Sequence, residues 1–146
     1  MTTTALSRTD AGSAAVPFVV ATPDANVVAV PSSSVGTSAD RARIAAAAST
    51  NLTSVKAGEA VLHSIHVTNI SAAVKFLKIY NKATAPVLAS DVPAFTMPLP
   101  VGHTGLIFDE GMGLTLGLAY AITGAVADTD TTALAANDVH GVMLYK

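Results

Sequence analysis

The stretch Gly111–Thr123, Gly-Met-Gly-Leu-Thr-Leu-Gly-Leu-Ala-Tyr-Ala-Ile-Thr, constrains the fold more than any other part of the chain. Large apolar residues occupy every second position: Met112, Leu114, Leu116, Leu118, Tyr120 and Ile122. Between them stand only small ones: Gly113, Thr115, Gly117, Ala119 and Ala121. Side chains alternate across a strand with period two, whereas a helix would scatter these six large residues around its axis. The pattern predicts one long strand with a greasy face and a shaved face. Glycine and alanine on the second face let another layer approach closely. That layer is a neighbouring segment or a neighbouring subunit; the alternative is an ordinary sandwich strand whose outer face is small.

Composition narrows what can surround this strand. Only 12% of the 146 residues are charged, against about 25% in an average soluble protein, and 51% are hydrophobic. So little charge implies surface buried in an assembly. No run of about 18 apolar residues is present, so no spanning helix and no membrane partner are expected. The first 25 residues lack a continuous apolar region and carry Arg8, Asp10 and Asp24, which argues against a secretory signal. Net charge is −2 and the eight basic residues are dispersed, unlike a nucleic-acid footprint. Their one cluster, Lys75, Lys78 and Lys82, reads as a solvated strand edge that discourages unwanted pairing. With no cysteine there are no disulfides, thiolate metal sites or cysteine nucleophiles.

Residues 1–39 read as an extended or partly disordered N-terminal arm, rich in Ser, Thr, Ala and Pro. Within it Val16–Val20 and Asn26–Val30 are β-prone, and Pro17, Pro23 and Pro31 exclude a helix or a central strand. Residues 40–146 read as the folded domain. Asp40 followed by an alanine run suits a short helix as well as a strand, but Ser49-Thr50-Asn51 is turn chemistry and Leu52–Lys56 is strand chemistry, so we read strand, turn, strand.

Ala60–Ile70 alternates, with Val61, Ile65 and Val67 on one face and Ser64, His66 and Thr68 on the other. Val74–Asn81 is apolar on both faces, Leu77 and Ile79 against Phe76 and Tyr80 with Lys78, which points to burial on both sides. Phe95, Met97 and Leu99 share a face, and Pro98 confines their strand to an edge or a bulge. Val101–Gly105 and Asp109–Gly111 read as turns flanking Leu106–Phe108; residues 124–138 form a polar loop; Val139–Tyr145 is the last strand. Seven or eight short strands without a long helix predict an all-β fold, an antiparallel β-sandwich or jelly roll.

Chemistry-bearing motifs are few. His63 and His66 have the spacing of a helical metal pair, but on a strand that offset puts them on opposite faces, where one ion cannot take both. His63 then shares the apolar face with Val61 and Ile65 as a hydrogen-bonded core residue. Asp128–Asp138 begins like a calcium loop and fails at Ala133 and Val139, where glycine and glutamate are required. It is a solvated loop or an irregular site through Asp128, Asp130 and Asp138. Gly111-Met-Gly113 opens a strand where a phosphate fingerprint opens a helix. No nucleophile elbow, Walker motif or apolar pair of carboxylates is present, so neither an enzyme nor a cofactor is expected.

From about Arg43 onward a series of phrases resembles a family of small tailed-bacteriophage virion proteins. They are Ala-Ala-Ser-Thr-Asn-Leu-Thr-Ser-Val-Lys-Ala (47–57), Lys-Phe-Leu-Lys-Ile-Tyr-Asn-Lys-Ala-Thr-Ala-Pro (75–86), Leu-Ala-Tyr-Ala-Ile-Thr (118–123), Ala-Asp-Thr-Asp-Thr-Thr-Ala (127–133) and the terminal Leu-Tyr-Lys. Their order carries the resemblance; the arm's valine runs match more loosely, and Gly102–Phe108 departs from the pattern by being shortened. The resemblance implies a virion structural protein, best fitted by capsid decoration or cement on a jelly-roll scaffold, commonly as homotrimers. Its partners would be copies of itself and the major capsid protein, and its location the capsid surface after synthesis in the bacterial host cytoplasm. No catalytic residue is implied. From the residues, the candidate subunit contacts are Phe18, Val19 and Val28 in the arm, Phe76 and Tyr80, and the small face Gly113, Thr115, Gly117 and Ala119. Two other roles compete: a tail, baseplate or head-fibre component, and a carbohydrate-binding surface module. The latter would want aromatic platforms, and there is no Trp and only Tyr80, Tyr120 and Tyr145.

Overall fold

The computed structural model describes residues 39–146 in full. Of residues 1–38 it describes only two short paired strands, β1 (Val19–Val20) and β2 (Val28–Ala29). These are antiparallel, with Val19 opposite Ala29 and Val20 opposite Val28, so the two valine-rich runs pair with each other there. Their side chains and Phe18 lie outside the described residues. The chain divides into two compact units, Met1–Ser38 and Ala39–Lys146.

The second unit is built from eight strands: β3 (Asp40–Ala45), β4 (Thr53–Ala57), β5 (Ala60–Asn69), β6 (Lys75–Asn81), β7 (Phe95–Leu99), β8 (Gly102–Leu114), β9 (Gly117–Thr123) and β10 (Val139–Tyr145). They form two four-stranded antiparallel sheets, with order β3-β10-β5-β8 in sheet I and β4-β9-β6-β7 in sheet II. The fold is the expected all-β sandwich, with no helix among the described residues. Ile44, Leu62, Ile65 and Met143 of sheet I pack in one cluster with Leu77, Ile79, Leu118 and Ile122 of sheet II. β7 lies at the edge of sheet II with Pro98 exposed, where a missing N–H costs no ladder bond. The alanine run forms no helix because Asn51, at φ 54°, clasps it. Its Oδ1 accepts from the Ala47 amide at 2.7 Å and its Nδ2 donates to the Ser49 carbonyl at 2.9 Å.

Four expectations need correction. The stretch 111–123 is two strands: β8 ends at Leu114 in sheet I and β9 begins at Gly117 in sheet II. Asn81 clasps the corner, accepting from the Leu116 amide at 2.7 Å and donating to Thr115 Oγ1 at 3.2 Å. Gly117, at φ 153°, is obligatory, since a Cβ there would lie 2.6 Å from the Lys56 carbonyl oxygen. The corner takes two residues, Thr115 and Leu116, so the period-two phase passes through it unbroken.

Residues 102–111, read as two turns around a short strand, belong to the continuous β8. Leu62 pairs with Met112 and Ser64 with Ile107, so the segment 108–111 bulges out of the ladder, with Gly111 at φ 80°.

The same irregularity re-phases β5. Ala60 and Leu62 point inward before it and Ile65 and Val67 after it, which leaves Val61 and His63 off the core face. His63 is therefore no core residue, and it shares the outer side of sheet I with His66. Finally, the lysine cluster is no solvated edge. β6 is an interior strand, Lys78 is 0% exposed, and Lys75 and Lys82 are ion-paired with Asp138 and Asp91.

Sheet I also depends on a bare position in its middle strand. A Cβ at Gly141 of β10 would fall on the His66 carbonyl oxygen and within 2.7 Å of Val67 Cα, both backbone atoms that cannot rotate away. At Gly113 a Cβ would meet nothing within 4 Å. We expect Gly141→Ala to lose about 3 kcal/mol or more of stability, and Gly113→Ala to change it by less than about 1 kcal/mol. Urea denaturation of the two variants beside the native chain checks both.

Candidate interaction surfaces

The two outer faces of the sandwich differ in what covers them. Sheet II is covered over β6 and β9 by its own chain. Ala119 and Ala121 of β9 and Tyr80 of β6 pack under Leu88 from the β6–β7 loop, residues 82–94. That loop is tied down by the Lys82–Asp91 ion pair, by the Val87 amide donating to Asp91 Oδ2 at 2.7 Å, and by Ser54 Oγ donating to the Ala83 carbonyl at 2.8 Å. The Lys82 hydrogen bond, then the Val87 amide, hold the Asp91 carboxyl below the usual carboxylate range.

The β9–β10 loop, residues 124–138, is fixed differently. Lys78 Nζ donates to the carbonyl oxygens of Ala127 and Asp128, so a buried ammonium is satisfied by backbone. Burial lowers the Lys78 pKa, against the opposing pull of Asp130 and Asp128. The loop's carboxylates act as separate clasps. Asp130 accepts from the Ala125 amide at 2.8 Å and from Thr132 Oγ1 at 2.7 Å. Partial burial works to raise its pKa, and these hydrogen bonds outweigh that and lower it. Asp138 accepts from the Ala135 amide at 3.1 Å and meets Lys75 Nζ at 3.3 Å. Among the described residues no three His, Asp or Glu side chains are grouped to hold a metal ion.

This arrangement decides which candidate contacts have surface to offer. Tyr80, Gly117 and Ala119 are buried by their own chain, whereas Phe76 is half-buried and Gly113 and Thr115 are exposed. The shaved face of β9 is thus covered by a neighbouring segment, the first of the two occupants its sequence allowed.

Sheet I has no such cover among the described residues. Because directly paired residues of an antiparallel ladder share a face, its outer surface follows from the register. One rung carries Arg41, Leu144, Ser64 and Ile107; the next Arg43, Val142, His66 and Gly105; the third Ala45, His140, Thr68 and His103. His63 joins them at the irregularity, so all four histidines of the chain lie on this side. His66 and His103 stack, with ring centroids 6.2 Å apart and planes 11° from parallel. A metal lies in the plane of each imidazole it ligates, and two stacked parallel planes offer no shared point. No signal in the sequence exposed this gathering, since it depends on which strands neighbour β5.

Tyr80 is 1% exposed and its hydroxyl has no hydrogen-bond partner. Burial, then the carboxylates of Asp128 and Asp91, push its pKa from 10.0 up to about 12. The folded value lies above the unfolded one, so this contribution to stability is complete below pH 10 and is lost as pH rises through 12. We expect native stability to fall across that window and Tyr80→Phe to abolish the fall attributable to this group. At neutral pH the variant should match the native chain or exceed it, since it removes an unsatisfied buried group. Thermal melts from pH 8 to pH 12, with tyrosinate absorbance followed in parallel, check the sign and the window.

Comparison with protein-family models, with curated proteins and with solved structures finds no match to this chain.

Proposed function

We propose that this chain is a non-enzymatic structural subunit of a phage virion, a decoration or cement protein that binds the outer head shell and stabilises it. The observation that carries the reading is the contrast between the two faces. Sheet II is covered over β6 and β9 by two loops held by buried or ion-paired lysines, while on the outer side of sheet I Ile107, Arg41 and Arg43 are exposed and Val142, Leu144 and His66 half-buried, with no covering loop among the described residues. A protein whose work is attachment needs rigid, uncovered surface more than a pocket. The ordered phrases that resemble small phage virion proteins support the same role.

The strand orders support the jelly-roll form of the sandwich. Apart from the β6–β7 hairpin, every successive strand from β3 to β10 changes sheet, giving β3-β10-β5-β8 over β4-β9-β6-β7. We read this as two interleaved Greek keys of four strands each. In the proposed assembly copies associate with one another, as a trimer, and dock on the major capsid protein. Residues 1–38 add a second attachment, so that domain and arm together hold more tightly than either alone.

Two measurements test the reading. Mixed with shells stripped of their decoration, the purified chain should bind and raise the temperature at which they open. A chain of residues 39–146 should keep a cooperative β-type melt and dissociate from heated shells at least about tenfold faster. No binding of the full chain to shells overturns the decoration role, and equal retention of the shortened chain overturns the part given to the arm.

A further inference from the structure

Two of the histidines on the outer side of sheet I form a pair across neighbouring strands. His66 of β5 stands opposite Gly105 of β8, and His103 of β8 stands opposite Thr68 of β5, so the rings meet on a diagonal of one ladder. Their centroids are 6.2 Å apart and their planes 11° from parallel, a separation at which aromatic rings attract. A bare position makes room for them. A Cβ at Gly105 would lie 3.1 Å from His66 Nδ1 and 3.7 Å from His103 Nε2, so both rings close over the space a side chain there would fill.

We propose that this stack is an acid-sensitive hold on the edge of sheet I: when both rings carry a proton it separates, and β8 loosens from β5 over Gly102–Ile107. β8 pairs only with β5. Its Gly102–Ile107 stretch is therefore kept in place by one ladder, by Leu106 packed on the core side, and by the stacked rings on the other side. Imidazole changes charge between about pH 8 and about pH 5. One proton on the pair sets no like charge against it. A second sets two positive charges at stacking distance, where their repulsion scales inversely with the separation.

The neighbouring strands do not offset that repulsion. The three outer rungs hold Arg41 and Arg43 of β3, His140 of β10 and the two stacked histidines, and no carboxylate. Asp138, just before β10, is engaged by Lys75 and by the Ala135 amide. Asp109 and Glu110 stand in the bulge beyond Ile107, at the far end of the strand from His103. His63 lies toward that end too, as does Lys146, whose backbone bonds Val61. Acidification thus adds charge of the sign these rungs already carry. The hold lies on the face that the proposed function uses for docking, but the inference itself needs no partner.

Amide hydrogen exchange of the full chain, read as protection factors at about pH 8 and about pH 5, tests it. Protection over Gly102–Ile107 should fall at least about threefold at the acid value, while that of β9 holds within about twofold. His103→Gln removes one ring and with it the second charge, so protection over the same residues should then change by less than about twofold. His140→Gln leaves the pair intact and should keep the native fall. Circular dichroism melts at about pH 8 establish that each variant folds, and His66→Gln takes the place of His103→Gln if the latter does not. Equal protection of Gly102–Ile107 at both pH values in the native chain overturns the proposal. So does a fall that survives the loss of either stacked ring, or one that is as large in β9 as in β8.

Discussion

The structure depends on a strand buried on both sides. β9 sends Leu118, Tyr120 and Ile122 into the core between the sheets and lays Ala119 and Ala121 under Leu88 on the other side. Its backbone pairs with β4 and β6, and its position fixes where both covering loops can lie. The Lys82 amide donates to the Gly117 carbonyl at 3.0 Å where the first loop leaves β6, and Thr123 Oγ1 donates to the Ala125 carbonyl at 2.9 Å where the second begins. Alanines on the covered side are what let a loop lie directly on the sheet. A larger residue at Ala119 or Ala121 would have to lift the loop, with a cost of about 1–3 kcal/mol for overpacking.

Sealing one face has a consequence for the other. Lys78 is spent inside the molecule on the carbonyls of residues 127 and 128, and Lys75 and Lys82 are spent on loop carboxylates. Charge remains exposed on the two edges of sheet I, with opposite predominant signs. The outer side of sheet I is therefore a face of histidine and aliphatic side chains bordered by charged edges. Such a surface suits contact with other protein, whose polar groups can meet the imidazoles and whose apolar groups can cover Val142, Leu144 and Ile107.

The fold class was legible in the sequence because strand alternation is a local signal, and eight alternating runs leave few architectures. Three features were not legible, each for a physical reason. The corner at Thr115–Leu116 consumes an even number of residues, so alternation continues across it and cannot mark the change of sheet. The irregularity between Leu62 and Ser64 consumes an odd one on β5, His63, and which face a residue takes then depends on the partner strand. A single strand's pattern therefore assigned Val61 and His63 to the wrong side. Lys78 looked like edge charge because its acceptors, Ala127 and Asp128, lie 49 and 50 residues away. Of the candidate contacts, Phe76, Gly113 and Thr115 kept surface, while Tyr80, Gly117 and Ala119 went under the chain's own loop. Two-sided apolarity on β6 and β9 was the right signal, but it cannot say whether the covering layer is the same chain or another.

In the proposed assembly partners meet sheet I, while β6 and β9 of sheet II are covered by their own loops. Amide hydrogen exchange, compared between the dilute and the self-associated chain, tests it most directly. Slower exchange on association is expected in the strands of sheet I, β3 and β8 among them, with the loop at residues 82–94 unchanged. Slowing confined to residues 82–94, with β3 and β8 unaffected, would contradict it.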